Sequence, residues 1–149
     1  SRPQIDAVYN ALVDGGWLKQ GKRPRMPQGG PLRVEAGDWL LWVGRSAKQN
    51  EQVTFKIASP TDTWLHVHER PGAHVVIKGP SQDVPKEVIE HAAQLAAYYS
   101  AARTAGSGVQ VDVTQRKYVR SIPGVHKGLV TYRESESVWV TDPSSVGDE

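Results

Sequence analysis

With 149 residues, the chain is long enough for a single hydrophobic core, and 38% hydrophobic with 23% charged residues describes an ordinary globular domain rather than a disordered one. No apolar run reaches the length needed to cross a bilayer, and Ser1-Arg2-Pro3-Gln4 lacks the basic-then-apolar order of a signal peptide, so a cytoplasmic protein with no membrane partner is expected. The absence of cysteine excludes disulfides, zinc–thiolate centres, cysteine nucleophiles and iron–sulfur clusters.

A formal net charge of +2 conceals an uneven distribution. Gly15 to Val34 holds Lys19, Lys22, Arg23, Arg25 and Arg33 without an acid. Thr114 to Arg133 holds Arg116, Lys117, Arg120, Lys127 and Arg133, again without one. Acids collect near the end, at Glu134, Glu136, Asp142, Asp148 and Glu149. Local cationic surface of this kind suits polyanions.

Ile5, Val8, Tyr9, Leu12 and Val13 recur at helical spacing, and Gly15-Gly16 ends the pattern, which predicts a short helix over Ile5 to Leu18. Gln20 to Pro31 packs glycine, proline and basic residues together and reads as a linker. Leu32 to Glu35 and Trp39 to Val43 are predicted strands joined at Ala36-Gly37-Asp38, the second apolar enough to be buried on both faces. After Gly44 the period becomes helical, with Val53, Ile57 and Ala58 on one side and Lys48, Gln52 and Lys56 on another.

Trp64 to His68 and His74 to Lys78 are the next strands. The Arg70-Pro71-Gly72-Ala73 reversal between them suits a type II turn, with glycine at positive φ. The longest helix is predicted from about Asp83 and Pro85 to Arg103, with Val88, Ile89, Ala92, Leu95, Ala96 and Tyr99 as its apolar stripe and Gly106-Ser107-Gly108 as its end. Strands at Val109 to Val119, Leu129 to Arg133 and Val138 to Thr141 complete the chain. The pattern predicts an α+β domain: a largely antiparallel sheet with two main helices packed on it, on one face, plus the short N-terminal helix.

Gly44-Arg45-Ser46-Ala47-Lys48-Gln49-Asn50 sets a guanidinium, an amine and two amides where a strand becomes a helix, which is a candidate phosphate cradle. The alternative is that Ser46 or Asn50 caps the helix while Arg45 and Lys48 are solvated. His66, His68 and His74 form a conceivable three-histidine metal site, although no carboxylate stands at ligand spacing and Trp64 shares their face. Arg116, Tyr118 and Arg120 would share one face of a long strand and meet a nucleic-acid backbone together. Most of the five tryptophans are expected in the core. Neither a Gly-x-Ser-x-Gly elbow nor a Gly-x-Gly-x-x-Gly loop occurs, so no catalytic residue is assigned.

Val43-Gly44-Arg45-Ser46-Ala47-Lys48-Gln49-Asn50, Asp62-Thr63-Trp64-Leu65-His66-Val67, Pro71-Gly72-Ala73-His74-Val75-Val76-Ile77, Ala97-Tyr98-Tyr99-Ser100 and Val111-Asp112-Val113-Thr114 follow one another in the order and spacing of a known family. From about Leu32 to Thr141 the chain resembles the NFACT-R domain, which closes RqcH/NEMF-type ribosome-quality-control proteins, once labelled fibronectin-binding proteins. The resemblance implies a non-enzymatic, cofactor-free module that binds rRNA of the large ribosomal subunit and tRNA on stalled ribosomes. In such proteins an NFACT-N domain, a helix–hairpin–helix segment and a coiled coil come first. The chain is accordingly divided into the end of an upstream helical region at 1–18, a basic linker at 19–31, the RNA-binding domain at 32–142 and an acidic tail at 143–149. Ser46-Ala47 stands where relatives often carry Asn-Asn or Asn-Lys, Ala73 stands where they carry Ser, and His68 falls at a variable position.

On this reading Arg45, Lys48, Gln49, Asn50, Lys56, His66, His74, Arg116, Lys117 and Arg120 contact phosphate and sugar with little sequence readout. Two rival readings are a metal-dependent enzyme built on His66, His68 and His74, and a fibronectin-binding adhesin fragment resting on the old family label.

Overall fold

The computed structural model describes residues 30–100, 108–124 and 129–142. The helix expected at Ile5 to Leu18, nearly all of the linker and the acidic tail lie outside the described residues. Six strands form one sheet: β1 (Leu32–Ala36), β2 (Trp39–Gly44), β3 (Thr63–Val67), β4 (His74–Lys78), β5 (Val109–Gln115) and β8 (Glu136–Val140), in the order β1-β2-β4-β3-β5-β8 with every pairing antiparallel. A separate two-stranded ribbon pairs β6 (Val119–Ser121) with β7 (Val130–Tyr132). The helices are α1 (Ala47–Gln52), running into a π-helical turn at Val53–Ile57, and α2 (Lys86–Tyr98). The α+β class with a mostly antiparallel sheet is therefore as the sequence predicts.

The period-2 alternation of the strands sorts their residues onto two faces. Leu41, Val43, Leu65, Val67, Val75, Ile77 and Val111 lie on one face, packed against Val88, Ala92, Leu95 and Ala96 of α2. Trp64 and Val76 lie on the other, packed against Val53 of the π-helical turn and Val119 of the ribbon. The two helical segments thus pack on opposite faces, not on one. This explains why Val75-Val76-Ile77 is apolar without alternation: both sides of β4 are covered.

Three local expectations are corrected. The reversal before β4 is not a type II turn at Gly72, since the positive φ belongs to Glu69 (52°). Gly72 is needed for close approach instead: a Cβ there would stand 2.7 Å from Ser100 Cβ, with which its backbone forms an isolated bridge. Helix α2 stops at Tyr98 and not Arg103, because Tyr99 leaves helical geometry and its carbonyl accepts from Ala73 N–H at 3.1 Å. The long strand expected over Val109 to Val119 breaks at Arg116–Tyr118 into a 3₁₀ turn. There Arg116 N–H and Lys117 N–H donate to Asp62 O and Pro60 O, both at 2.9 Å, and the chain leaves the main sheet for the ribbon.

Candidate nucleic-acid interface

At the end of β2, Gly44 leaves no room for a side chain, since a Cβ would lie 2.8 Å from the Asn50 backbone. The chain turns there into α1. Ser46 takes extended backbone geometry and its hydroxyl accepts from Gln49 N–H at 3.2 Å, while the Gln49 carboxamide reaches back to accept from Arg45 N–H at 3.0 Å. The exchange is close to a capping box. Asn50 N–H donates to Ser46 O at 2.7 Å as the first i→i−4 bond of α1, so the Ser46 hydroxyl and carbonyl together take up the Gln49 and Asn50 amides.

The Asn50 side chain is 0% exposed. Its Nδ2 donates to Gly72 O at 3.3 Å and its Oδ1 accepts from His74 N–H at 3.0 Å, pinning α1 to the segment before β4. Of this candidate cluster, Arg45 and Lys48 are exposed, Gln49 is half-buried in the cap, and Asn50 is interior. Arg45 lies over the Tyr99 ring, 5.5 Å from its centroid.

A second group of cations gathers where the π-helical turn meets the 3₁₀ turn. Arg116 Nε bonds Thr54 O, and its guanidinium lies 4.6 Å from the centroid of Phe55. Burial, with the neighbouring Arg120 charge, lowers the Arg116 pKa. Lys117 and Arg133 flank the Tyr118 ring at 5.3 and 4.9 Å. Lys56, Lys117 and Arg120 are exposed. Among the described residues, Arg33, Lys78, Lys86 and Arg133 stand within 4 Å of a carboxylate, whereas Arg45, Lys48, Lys56, Arg70, Arg116, Lys117 and Arg120 do not.

The histidines belong to a polar layer on the same face of the sheet. His74 is buried, and its Nδ1 lies 2.8 Å from Thr54 Oγ1, which also accepts from Trp64 Nε1–H at 2.9 Å. His66 stacks on Trp64 with centroids 5.8 Å apart, and its Nδ1 donates to Val67 O at 2.7 Å. Burial lowers its pKa to about 4, so the ring is neutral at physiological pH. His68 lies beyond the end of β3, with Nδ1 2.8 Å from Asp112 Oδ2.

Asp112, buried in β5, also accepts from Tyr132 OH at 2.6 Å. Burial, reinforced by that hydrogen bond and the Asp112 charge, drives the Tyr132 pKa upward, so the phenol keeps its proton. Among the described residues no three His, Cys, Asp or Glu side chains form a group that could hold a metal, so the three-histidine centre is not assembled. The three Nδ1 atoms face Thr54, a backbone carbonyl and Asp112. Asp112 and Tyr132 were not among the predicted site residues. The available signal was a carboxylate between Val111 and Val113 in an otherwise apolar strand.

A family profile described as the NFACT protein RNA binding domain matches residues 33–134. The chain belongs to this family. RqcH of Streptococcus suis is 37% identical over 144 residues, covering 95% of the chain and 26% of that protein. RqcH of Bacillus subtilis is 34% identical over 143 residues, covering 92% and 25%. This NFACT RNA-binding domain thus spans about a quarter of the RqcH proteins it matches. A solved structure described as the C-terminal part of a fibronectin/fibrinogen-binding protein from Streptococcus suis superposes with a TM-score of 0.72 at 37% identity, over 93% of the chain and 56% of that structure. The resemblance read from the linked motifs and this match agree on the family.

Proposed function

We propose that the chain is the RNA-binding module of a cytoplasmic ribosome-quality-control factor, and that it binds rRNA of the large subunit and tRNA on stalled ribosomes without catalysing a reaction. On this reading NFACT-N and coiled-coil regions precede it in the parent protein. One observation carries the reading: six cationic side chains, at Arg45, Lys48, Lys56, Arg116, Lys117 and Arg120, have no carboxylate within 4 Å among the described residues, a condition shared by Arg70 but not by Arg33, Lys78, Lys86 and Arg133. Unneutralised cations next to aromatic rings suit a phosphate backbone and its bases. A phosphate between Arg116 and Arg120 would relieve their repulsion.

Of the predicted contact residues, these six are the ones kept as direct contacts. Gln49, Asn50 and His74 act by holding the turn in shape, and His66 lines a cleft beside the β6–β7 ribbon. Affinity for tRNA or large subunits, read by fluorescence anisotropy or sedimentation, should fall steeply with salt. For six phosphate contacts the loss between about 50 and 200 mM salt is about 300- to 1,800-fold. Arg45→Glu with Lys48→Glu should weaken binding at least tenfold. A flat salt profile, or unchanged binding by that variant, would sink the proposal.

The description of the Streptococcus suis structure keeps a matrix-protein reading in view. Immobilised fibronectin distinguishes the two: saturable capture of the chain by fibronectin, with no salt-dependent RNA binding, would favour the second.

A further inference from the structure

Trp139 is the exposed large hydrophobic side chain among the described residues, with 60% of its surface open. It stands on β8, an edge strand of the sheet, opposite Gln110 of β5. Register places it on the same face as the ribbon. His66 pairs with Asp112 and Asp112 with Ser137, and Gln110 and Trp139 lie two residues along from these on their own strands, so all share that face. The indole is seated against bare backbone: Gly108 takes φ 111°, and a Cβ there would lie 2.6 Å from Nε1 and 2.8 Å from Cε2 and Cζ2 of the ring. Its neighbours are polar. Gln110 Nε2 donates to Ser137 Oγ at 2.7 Å, and His68 N–H donates to Gln110 O at 2.9 Å. Two residues past His68, exposed Arg70 has no carboxylate within 4 Å among the described residues, while the Glu69 carboxylate lies 3.5 Å from His68 Nε2. The same turn is tied to α1 by the bond from Asn50 Nδ2 to Gly72 O. One surface therefore runs from Arg45 and Lys48, past Arg70, to Trp139, crossing β2, β4, β3, β5 and β8. Four strand spacings make it about 19 Å wide.

We propose that Trp139 stacks an unpaired nucleobase of a single-stranded RNA segment at this sheet edge, while Arg70 takes a phosphate of the same strand. The inference rests on the RNA-binding reading and deepens it, carrying the RNA path from Arg45 and Lys48 to the far side of the sheet. A lone indole in polar surroundings offers one flat face, which a base matches ring on ring. A stable protein interface needs a contiguous apolar centre, and here Gln110 and Ser137 interrupt it. Every base has such a face, so the contact carries no sequence preference. It does favour a single strand over a duplex, whose bases are already stacked on one another.

The test measures the fluorescence anisotropy of a labelled single-stranded rA oligonucleotide and of a blunt RNA duplex of the same length. Trp139→Ala is expected to weaken binding of the strand about 5- to 150-fold and to leave the duplex unchanged. It should also keep the slope of log affinity against log salt, since a stacked ring releases no counterion, whereas Arg70→Gln should lower that slope by about 0.7. Trp139→Phe should retain most of the affinity. Unchanged strand binding by Trp139→Ala, or equal losses for strand and duplex, overturns the proposal. Should Trp139→Ala fail to fold, fluorine NMR of the fluorotryptophan-labelled protein decides, with the Trp139 signal assigned from Trp139→Phe. That signal should shift with the strand and stay fixed with the duplex, and a stationary signal overturns the proposal. Either failure alongside retained salt-dependent tRNA binding removes this inference alone, whereas an unaltered protein that binds no RNA removes the RNA-binding reading with it. A Trp139→Ala loss seen with intact large subunits, but not with protein-free rRNA or the strand, overturns the proposal in favour of a protein partner.

Discussion

Asn50 and His66 show what a polar side chain does once it leaves the surface. Asn50 answers two backbone groups, Gly72 O and His74 N–H, that no water reaches. Asn50→Ala leaves both unsatisfied in the interior and should cost about 2–4 kcal/mol, measured by urea unfolding. A loss below about 0.5 kcal/mol would show that the clamp is not needed.

His66 makes stability depend on pH. The folded chain holds its imidazole unprotonated down to about 4, whereas an unfolded chain protonates it near 6.5. Between those values the unfolded state binds more protons, so stability falls as pH drops through that window. The urea midpoint should decline more steeply from pH 6.5 towards 4 in the unaltered protein than in His66→Phe. Identical slopes would contradict the burial of this ring.

Among the elements, the joint between the end of α2 and the start of β4 is closely packed. Gly72 meets Ser100 and accepts the Asn50 amide, so three segments converge on one residue with no Cβ. Gly72→Ala should destabilise by about 1–3 kcal/mol by overpacking, and Ser100→Gly should recover part of the loss by removing the opposing Cβ. Failure of the second change to rescue would place the strain elsewhere.

Much of this level was legible in the sequence. The two-residue turn at Gly37-Asp38, with Gly37 at φ 64°, and the α2 stripe of Val88, Ala92, Leu95 and Ala96 follow from local spacing. The π-helical turn is different. Val53 and Ile57 look helical at i and i+4, yet Ala58 N–H reaches back five residues to Val53 O at 3.1 Å. Arg116, sixty-two positions away, bonds the Thr54 carbonyl in the middle of that turn, and no local pattern records it.

At the scale of the whole molecule, the arrangement of charge matters more than its total. Arg45 and Lys48 lie at the start of α1, and Lys56, Arg116, Lys117 and Arg120 gather around the π-helical turn and the ribbon. Arg116→Gln with Arg120→Gln should reduce the slope of log affinity against log salt by about 1–2 and weaken different RNAs alike, because phosphate contacts carry no sequence. An unchanged slope would move the contact surface away from the ribbon.

By itself the sequence determined the family, the antiparallel α+β class and the basic stretches, because alternation, turn residues and linked motifs are all written in neighbouring positions. Only the tertiary structure decided which polar residues reach solvent. His66, His74 and Asn50 read as contact residues in sequence, but two lie in the interior and the third lines a cleft. A period of two places His66, Asp112 and Tyr132 on faces of their own strands, but not the strands side by side. That came from the pairing of β3 with β5 and the folding of the ribbon over them, contacts between residues far apart in the chain.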